Sequence, residues 1–283
     1  MKKIAVTLSL ILLVFGVSEI HARNDSGWID VTTLNALPND GVDDTVQIQA
    51  AINQLKSSSG GVVFLPPGEY HLSRTITIDN KNIILRGGAL TGGIWTNGLA
   101  QGTTIHWTGS WNPQGMIHIR FSSGAGVEHL RLHAHGKASW GLRLTGLKAS
   151  RIIDVTIQRP ATGGIRLDTS HNKVAPNWAS GKNNHFEQIY IDIASAWDDQ
   201  GTLIKPPLNL VGILFLGEPD AAIRTDWHGN TFINGIVKFN KSRNHFGFDM
   251  KFTDSNTFYE FDLQNDGPND ATGSGASILF DSI

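Results

Sequence analysis

The sequence predicts an all-β fold in which parallel strands form a solenoid, a β-helix, and three observations support this. Glycine is abundant, with 31 residues among 283, against about 7% in an average protein. Apolar and polar residues alternate in many short segments, which is typical of strands. These segments recur about every 25 residues, which indicates a structural repeat.

The first strand of each repeat has apolar residues at its first position and, in most copies, at its fourth and sixth. It begins at Val127, Ile152, Phe186, Phe232 and Phe258. The shortest intervals are 25 residues (127 to 152) and 26 residues (232 to 258), so the longer ones contain insertions. An asparagine precedes three of these strands by two residues, which predicts a ladder of stacked amides at Asn184, Asn230 and Asn256.

A second strand follows in each repeat, and it begins at Gly141, Gly164, Gly212, Gly247 and Ser277. A period near 25 residues fits a β-helix coil but not a propeller blade, which needs about 40–45 residues. A β-sandwich with irregular strands is the alternative fold.

The N-terminal region predicts a cap over the first coil, at about residues 28–60. Asp43-Asp44-Thr45 offers a helix N-cap, and Ile48, Ile52 and Leu55 then follow at helical spacing. Gly60-Gly61 ends that helix. A cap is expected because the open edge of a solenoid would otherwise pair with other chains.

The segments NDGVDDT (39–45), IQAAI (48–52) and GGVVFLPPGEY (60–70) resemble the opening of the pectate-lyase-like superfamily. This group includes polygalacturonases, rhamnogalacturonases and epimerase-like proteins. The resemblance implies a single-stranded right-handed parallel β-helix with an N-terminal capping helix. It also implies that Asp43, Asp44 and Glu69 are structural.

Residues 1–22 predict a bacterial signal peptide, with Lys2 and Lys3 before the apolar run 4–17 and Ala22 before the cleavage point. A membrane anchor is the alternative. Residues 23–283 then form one secreted or periplasmic domain, with no membrane contact after cleavage. The chain has 23 Lys+Arg against 25 Asp+Glu and no cysteine, which argues against nucleic-acid binding and excludes disulfides and thiolate metal sites.

Insertions indicate where a substrate would bind. Extra residues at about 193–210, 169–183 and 217–229 wall the face of the second strand, and long loops are usually functional. Alternation places Arg143 and Arg166 outward in one column, with His118 as a third member and Asp168 beside them. Because arginine binds carboxylates bidentately, this floor suits an acidic glycan. A locally salt-bridged surface is the alternative.

The insertions that wall the face of the second strand carry aromatic and ionisable residues. Tryptophan rings stack on sugars, so Trp178, Trp197 and Trp227, with His228, are predicted to bind substrate. Each tryptophan could instead plug a turn against the core.

Two chemistries remain open. Polygalacturonase-like hydrolysis needs two carboxyl groups; Asp198, Asp199 and His245 match that pattern loosely, while Gly163 stands where an aspartate is expected. A lyase needs a cation that neutralises a uronate, here Arg143 and Arg166, and a base. The candidate bases are His135, His245 and Lys241. Asp192, Asp198 and Asp199 are further catalytic candidates, or could bind Ca²⁺, although no spacing is diagnostic of a metal site.

The sequence therefore leaves three functions open. The first is an exported enzyme that cleaves a polysaccharide, expected to be acidic. The second is a non-catalytic glycan-binding β-helix or adhesin, and the third is a tailspike-like depolymerase. No capping helix follows the Gly-rich segment 267–275 and the last strand, so the final coil is a possible site of oligomerisation.

Overall fold

The computed structural model describes residues 27–56, 59–79, 82–88, 102–169, 180–194, 208–217, 226–240, 243–251, 253–265 and 276–281. The predicted signal peptide lies outside these residues. No helix in the described part of the chain is long and apolar enough to span a bilayer.

One α-helix, α1 (Thr45–Lys56), and one 3-10 helix (Val31–Leu34) lie near the N-terminus. The strands are β1 (Trp28–Asp30), β2 (Gly61–Leu65), β3 (Gly68–Leu72), β4 (Ile76–Asp79), β5 (Ile83–Gly87), β6 (Thr103–Trp107), β7 (Ile117–Arg120), β8 (Gly126–His133), β9 (Trp140–Thr145), β10 (Arg151–Gln158), β11 (Gly163–Asp168), β12 (Gly181–Lys182), β13 (His185–Asp192), β14 (Val211–Leu216), β15 (Trp227–His228), β16 (Thr231–Phe239), β17 (Phe246–Lys251), β18 (Thr253–Asp254), β19 (Thr257–Asn265) and β20 (Ala276–Asp281).

All strand pairs named here are parallel, and their registers confirm the repeat. Val127, Ile152 and Phe186 are partners in β8, β10 and β13, and Phe232 and Phe258 continue the same column. The second series aligns in the same way, from Leu142 through Ile165, Ile213 and Phe248 to Ile278. The fold is the expected right-handed parallel β-helix.

The first predicted strand of each coil is bent, which the alternation did not reveal. The third residue, counted from Val127 and its equivalents, lies in the left-handed region, with φ between 51° and 54° at His129, Asp154, Gln188, Asn234 and Glu260. The residues before the bend pair with β5, and the residues after it pair with β6. Each coil therefore has three sides rather than two.

We name the three sides by their strands. Face 1 contains β1, β2, β5 and the parts of β8, β10, β13, β16 and β19 before the bend. Face 2 contains β3, β6 and the parts after the bend. Face 3 is a separate sheet in the order β4-β7-β9-β11-β14-β17-β20, and β12, β15 and β18 form a small additional sheet.

The glycine that opens most second strands is required by packing inside the coil. A Cβ on Gly141 would lie 2.5 Å from Ile157 Cγ2, and a Cβ on Gly164 would lie 2.5 Å from Ile191 Cγ2. Face 3 therefore approaches face 2 too closely for any side chain at these positions.

The N-terminal helix packs on the first coil as predicted. Ile48, Ala51, Ile52 and Leu55 are buried in the same apolar core as the strands. Asp44 accepts a hydrogen bond from the backbone N–H of His71 (2.9 Å), and Asp43 Oδ2 accepts one from the Ser73 hydroxyl (2.6 Å). These two carboxylates join the helix start to β3, which confirms that they are structural.

The far end of the solenoid is open in the described part of the chain. A cavity of about 380 Å³ lies there, and its apolar lining includes Phe248, Met250, Phe258, Phe261 and Ile278. Oligomerisation through this coil stays a prediction.

The predicted asparagine ladder is present. Asn184 Nδ2 donates to Asn230 Oδ1 (2.9 Å), and Asn230 Nδ2 donates to Asn256 Oδ1 (2.8 Å). The ladder also accepts the backbone N–H groups of Ser150, Asn184 and Asn230. Side-chain amides thus satisfy the turns that precede three successive coils.

Asn230→Ala is expected to lower the free energy of unfolding by about 1–3 kcal/mol, because it removes the Oδ1 atom that accepts hydrogen bonds from both the backbone N–H and the side-chain amide of buried Asn184. Denaturant unfolding measures this. Asn53→Ala, on the exposed surface of α1, is the control and should change stability little. Equal effects of the two variants would contradict the ladder's role.

Candidate functional site

The outward side chains of face 3 form two columns, because its strands stack in register. The first column contains Thr77, His118, Arg143, Arg166, Leu214 and Asp249. The second contains Asp79, Arg120, Thr145, Asp168, Leu216 and Lys251. The register thus places Arg143, Arg166 and His118 in one column, as alternation indicated. Their role in binding stays a prediction.

Asp168 holds the two arginines together. Arg143 Nε donates to Asp168 Oδ2, and Arg166 Nε donates to Asp168 Oδ1. Asp168 is only 4% exposed, so it orients the arginines rather than contacting substrate directly, which corrects the sequence-based assignment. Two guanidinium groups and one carboxylate leave this cluster with a formal charge of +1.

The arginines keep hydrogen-bonding capacity toward solvent. Arg143 Nη1 donates to Gln114 Oε1, and the Arg166 guanidinium lies 5.9 Å from the centre of the Trp140 ring. Within the described part of the chain, the two terminal nitrogen atoms of Arg166 make no hydrogen bond. A planar, fixed guanidinium with available N–H groups is suited to bind a carboxylate.

A second ion pair lies in the coils next to this cluster. Arg120 contacts Asp79 bidentately, with 2.5 Å between Nε and Oδ1 and 2.6 Å between Nη2 and Oδ2. The hydrogen bonds to Asp79 raise the pKa of Arg120. Asp79 and Arg120 were not singled out from the sequence, although the same alternation extended into β4 and β7 would have found them.

His118 lies between the two ion-paired groups and is neutral. It is 7% exposed, and its Nε2 lies 2.9 Å from Thr145 Oγ1. Burial, together with the neighbouring Arg143 and Arg120, lowers the pKa of His118 to about 3. A group with so low a pKa is a weak base at neutral pH. His118 therefore adds no positive charge beside the arginines, and its hydrogen-bond partner is Thr145.

Two predicted site residues are buried, and their assignments are wrong. Trp227 is 0% exposed, and its ring covers Gly181, where a Cβ would lie 2.3 Å from it; it plugs a turn and cannot stack on a sugar. His245 is also 0% exposed, and its Nδ1 accepts the Asn240 backbone N–H at 3.2 Å. His245 therefore stabilises a turn and cannot reach a substrate.

The other residues that were predicted to belong to the site do not lie together. His228 Nδ1 lies 2.6 Å from Asp226 Oδ1 on the small additional sheet. Asp192 and His135 lie on the face 2 side of the coils, and Asp192 Oδ1 accepts the backbone N–H of Ala194 at 3.0 Å. Neither joins the arginines of face 3. Four other predicted residues and one candidate base lie outside the described residues: Trp178, Trp197, Asp198, Asp199 and Lys241.

The low pKa of His118 has a measurable consequence for stability. Below about pH 6.5 the unfolded imidazole binds a proton that the folded one does not bind until about pH 3. The stability of the wild type relative to His118→Gln should therefore be constant above about pH 6.5 and fall as the pH drops toward 3. Denaturant unfolding of both proteins across this range tests it. Parallel pH profiles would contradict a neutral, buried His118.

Several solved structures are similar to this chain. A candidate glycosyl hydrolase from Parabacteroides merdae has a TM-score of 0.54 and 12% identity, covering 88% of this chain and all of that one. ORF18 of Geobacillus virus E2 has a TM-score of 0.46 and 17% identity, covering 86% of this chain and 60% of that one. The tailspike gp49 of Acinetobacter baumannii bacteriophage Fri1, a capsular polysaccharide depolymerase, has a TM-score of 0.49 and 12% identity, covering 90% and 50%.

The chain thus spans 60% of the viral ORF18 protein and half of the tailspike. No curated protein sequence matches the chain significantly. The family described as "Rhamnogalacturonase A/epimerase, pectate lyase-like" matches residues 28–244. This match covers most of the chain, including the cap, the arginine cluster and all but the last strands. The chain therefore belongs to this pectate-lyase-like family of carbohydrate-active β-helix proteins.

Proposed function

We propose that this protein binds an acidic polysaccharide along face 3 and cleaves it, acting outside the cytoplasm as the predicted signal peptide indicates. The observation that carries the proposal is the Arg143–Asp168–Arg166 cluster, in which one buried carboxylate orients two partly exposed guanidinium groups. The family supports action on carbohydrate in general. The arginine cluster supports an acidic sugar in particular.

The electrostatics of face 3 favour a uronate over a neutral sugar. Asp79 neutralises Arg120, and the neutral His118 adds no charge, so among the described residues of the neighbouring strands β7 and β14 no net charge opposes the +1 of the arginine cluster. A uronate carboxylate would complete the hydrogen bonding of the cluster, and charge-assisted bonds of this kind are stronger than neutral ones.

Among cleavage chemistries, the described residues favour elimination. Hydrolysis needs two carboxyl groups across the scissile bond. On face 3, Asp79 and Asp168 are bound by arginines, and Asp249 lies 3.7 Å from Lys251 Nζ. Elimination instead needs a cation that neutralises the uronate, and Arg143 and Arg166 fit that role. The candidate bases are Lys241 and, in the predicted insertion at about 193–210, Asp198 and Asp199, and the two aspartates could instead bind Ca²⁺.

A non-catalytic glycan-binding β-helix is the second candidate. It is favoured by Gly163, which stands where related hydrolases carry an aspartate, and by the burial of Trp227 and His245. The same arginine cluster would then hold the glycan without cleaving it.

A substrate screen separates these functions. The purified protein is incubated with polygalacturonate, rhamnogalacturonan, alginate and bacterial exopolysaccharides, with Ca²⁺ or with a chelator. We expect reducing ends and the ultraviolet absorbance of an unsaturated uronate to rise together on an acidic glycan. Reducing ends alone would indicate hydrolysis. Binding without either signal would establish the non-catalytic alternative.

Arg166→Gln should weaken binding of the acidic glycan about 10-fold or more, because it removes charge-assisted hydrogen bonds. Affinity electrophoresis or calorimetry measures the change, and neutral glycans should be unaffected. If the protein cleaves the glycan by elimination, the rate of elimination should fall together with the affinity.

Arg151→Gln is the matched control. On face 1, Arg151 and Arg86 bind the buried Glu128 in the same arginine–carboxylate–arginine arrangement, so each variant leaves one arginine on its carboxylate. Equal losses of affinity in Arg166→Gln and Arg151→Gln would contradict binding on face 3.

A further inference from the structure

Four histidines lie together on the face 2 side of the first coils, away from the arginine cluster of face 3. Three of them, His71, His106 and His133, are register partners in β3, β6 and β8. His135 follows β8 by two residues, in a turn where its φ is 52°. Parallel register thus stacks three imidazoles from successive coils, and the turn brings a fourth against them.

The rings are close enough to share one ligand. His106 Nδ1 lies 3.0 Å from His135 Nε2, and the ring centres of His133 and His135 are 4.0 Å apart. One nitrogen from each of His106, His133 and His135 lies within 4.8 Å of the others. His71 stacks on the ring of His106, with 5.6 Å between centres.

We propose that His106, His133 and His135 bind a divalent transition metal ion of the zinc class. Imidazole nitrogen is a preferred ligand of Zn²⁺, with bonds of about 2.0–2.1 Å, which places two ligand nitrogens of a tetrahedral ion about 3.3 Å apart. The separation of 3.0 Å between His106 and His135 is already close to this value. The ligand nitrogen of His133 lies within 4.8 Å of the other two, so it must move by about 1–2 Å to bind the same ion.

The surroundings hold the ligands in place. Glu69 Oε1 lies 3.9 Å from His106 Nε2, which is too long for a hydrogen bond, and a shift of this exposed side chain by about 1 Å would let it accept the N–H of a histidine whose other nitrogen binds metal. The turn that carries His135 is fixed by backbone hydrogen bonds from Ala134 to Gln158 (2.9 Å) and from Gly136 to Arg159 (2.7 Å). The three ligands thus come from two strands and a turn fixed to the next coil, which suits a preorganised site.

The test uses the full protein without a polyhistidine tag, stripped of metal by a chelator and then titrated with Zn²⁺ in a calorimeter. We expect one equivalent to bind and the melting temperature to rise with Zn²⁺, because a ligand that binds only the folded state stabilises it. Replacing Zn²⁺ by Co²⁺ should give the visible absorption of a cobalt ion with nitrogen ligands.

His135→Asn is the key variant, because asparagine tolerates positive φ and the turn should keep its backbone. We expect it to weaken Zn²⁺ binding at least 10-fold, and His106→Gln/His135→Asn to abolish the rise in melting temperature. His185→Gln is the control: this partly exposed histidine pairs with Glu187 on face 1 (3.0 Å), and its loss should leave Zn²⁺ binding unchanged.

Three results would overturn the proposal. They are the absence of stoichiometric Zn²⁺ binding by the wild type, unchanged binding by the double variant, and an equal loss in His185→Gln. Circular dichroism of each metal-free variant confirms that it is folded, so a loss of binding cannot be attributed to unfolding.

Discussion

The structure depends on one constraint, the in-register stacking of parallel strands from successive coils. Because equivalent residues lie directly above one another, about 4.8 Å apart, every side chain meets its counterpart in the next coil. Inside the solenoid this stacks Phe186 on Phe232, with 4.3 Å between ring centres, and Phe232 on Phe258, with 4.8 Å. In the turns it stacks the amides of the asparagine ladder.

On the outer surface the same constraint sets arginines close together, and in two places a buried carboxylate lies between them. Arg143 and Arg166 are register partners on face 3 and share Asp168. Arg86 and Arg151 flank Glu128 on face 1 and share it. Each buried carboxylate accepts hydrogen bonds from both of its arginines and so orients their guanidinium groups.

The histidines of face 2 follow from the same stacking, which places His71, His106 and His133 in one column. One ring nitrogen from each of His106, His133 and His135 lies within 4.8 Å of the others. An ordered column of arginines favours an anion, whereas converging histidines favour a metal ion. One repeat thus presents two chemically different surfaces on different sides of the coil.

The sequence predicted those features that depend on periodicity. The strand registers, the asparagine ladder, the capping helix and the shared column of Arg143 and Arg166 all follow from spacing and alternation. The bend at His129, Asp154, Gln188, Asn234 and Glu260 was missed, since five different residue types take the same left-handed conformation there.

The sequence also did not reveal which residues between the main strands are buried. Trp227 and His245 were expected to face a substrate, but both are buried, because the inward and outward alternation of a strand does not extend into the residues that connect strands. Insertion counting predicted a binding face from segment lengths alone, and it carried no information about side-chain direction. The histidine cluster was missed for a related reason, since His106 and His133 become neighbours only through coil stacking.

The central claim is that face 3 holds an acidic glycan through the oriented arginine cluster. A crystal structure of the protein with an acidic oligosaccharide, such as an oligogalacturonate, tests it most directly. The account predicts a sugar carboxylate against the guanidinium groups of Arg143 and Arg166, with Asp168 still between their Nε atoms. An oligosaccharide bound on face 1 or face 2, with the arginine cluster uncontacted, would contradict it.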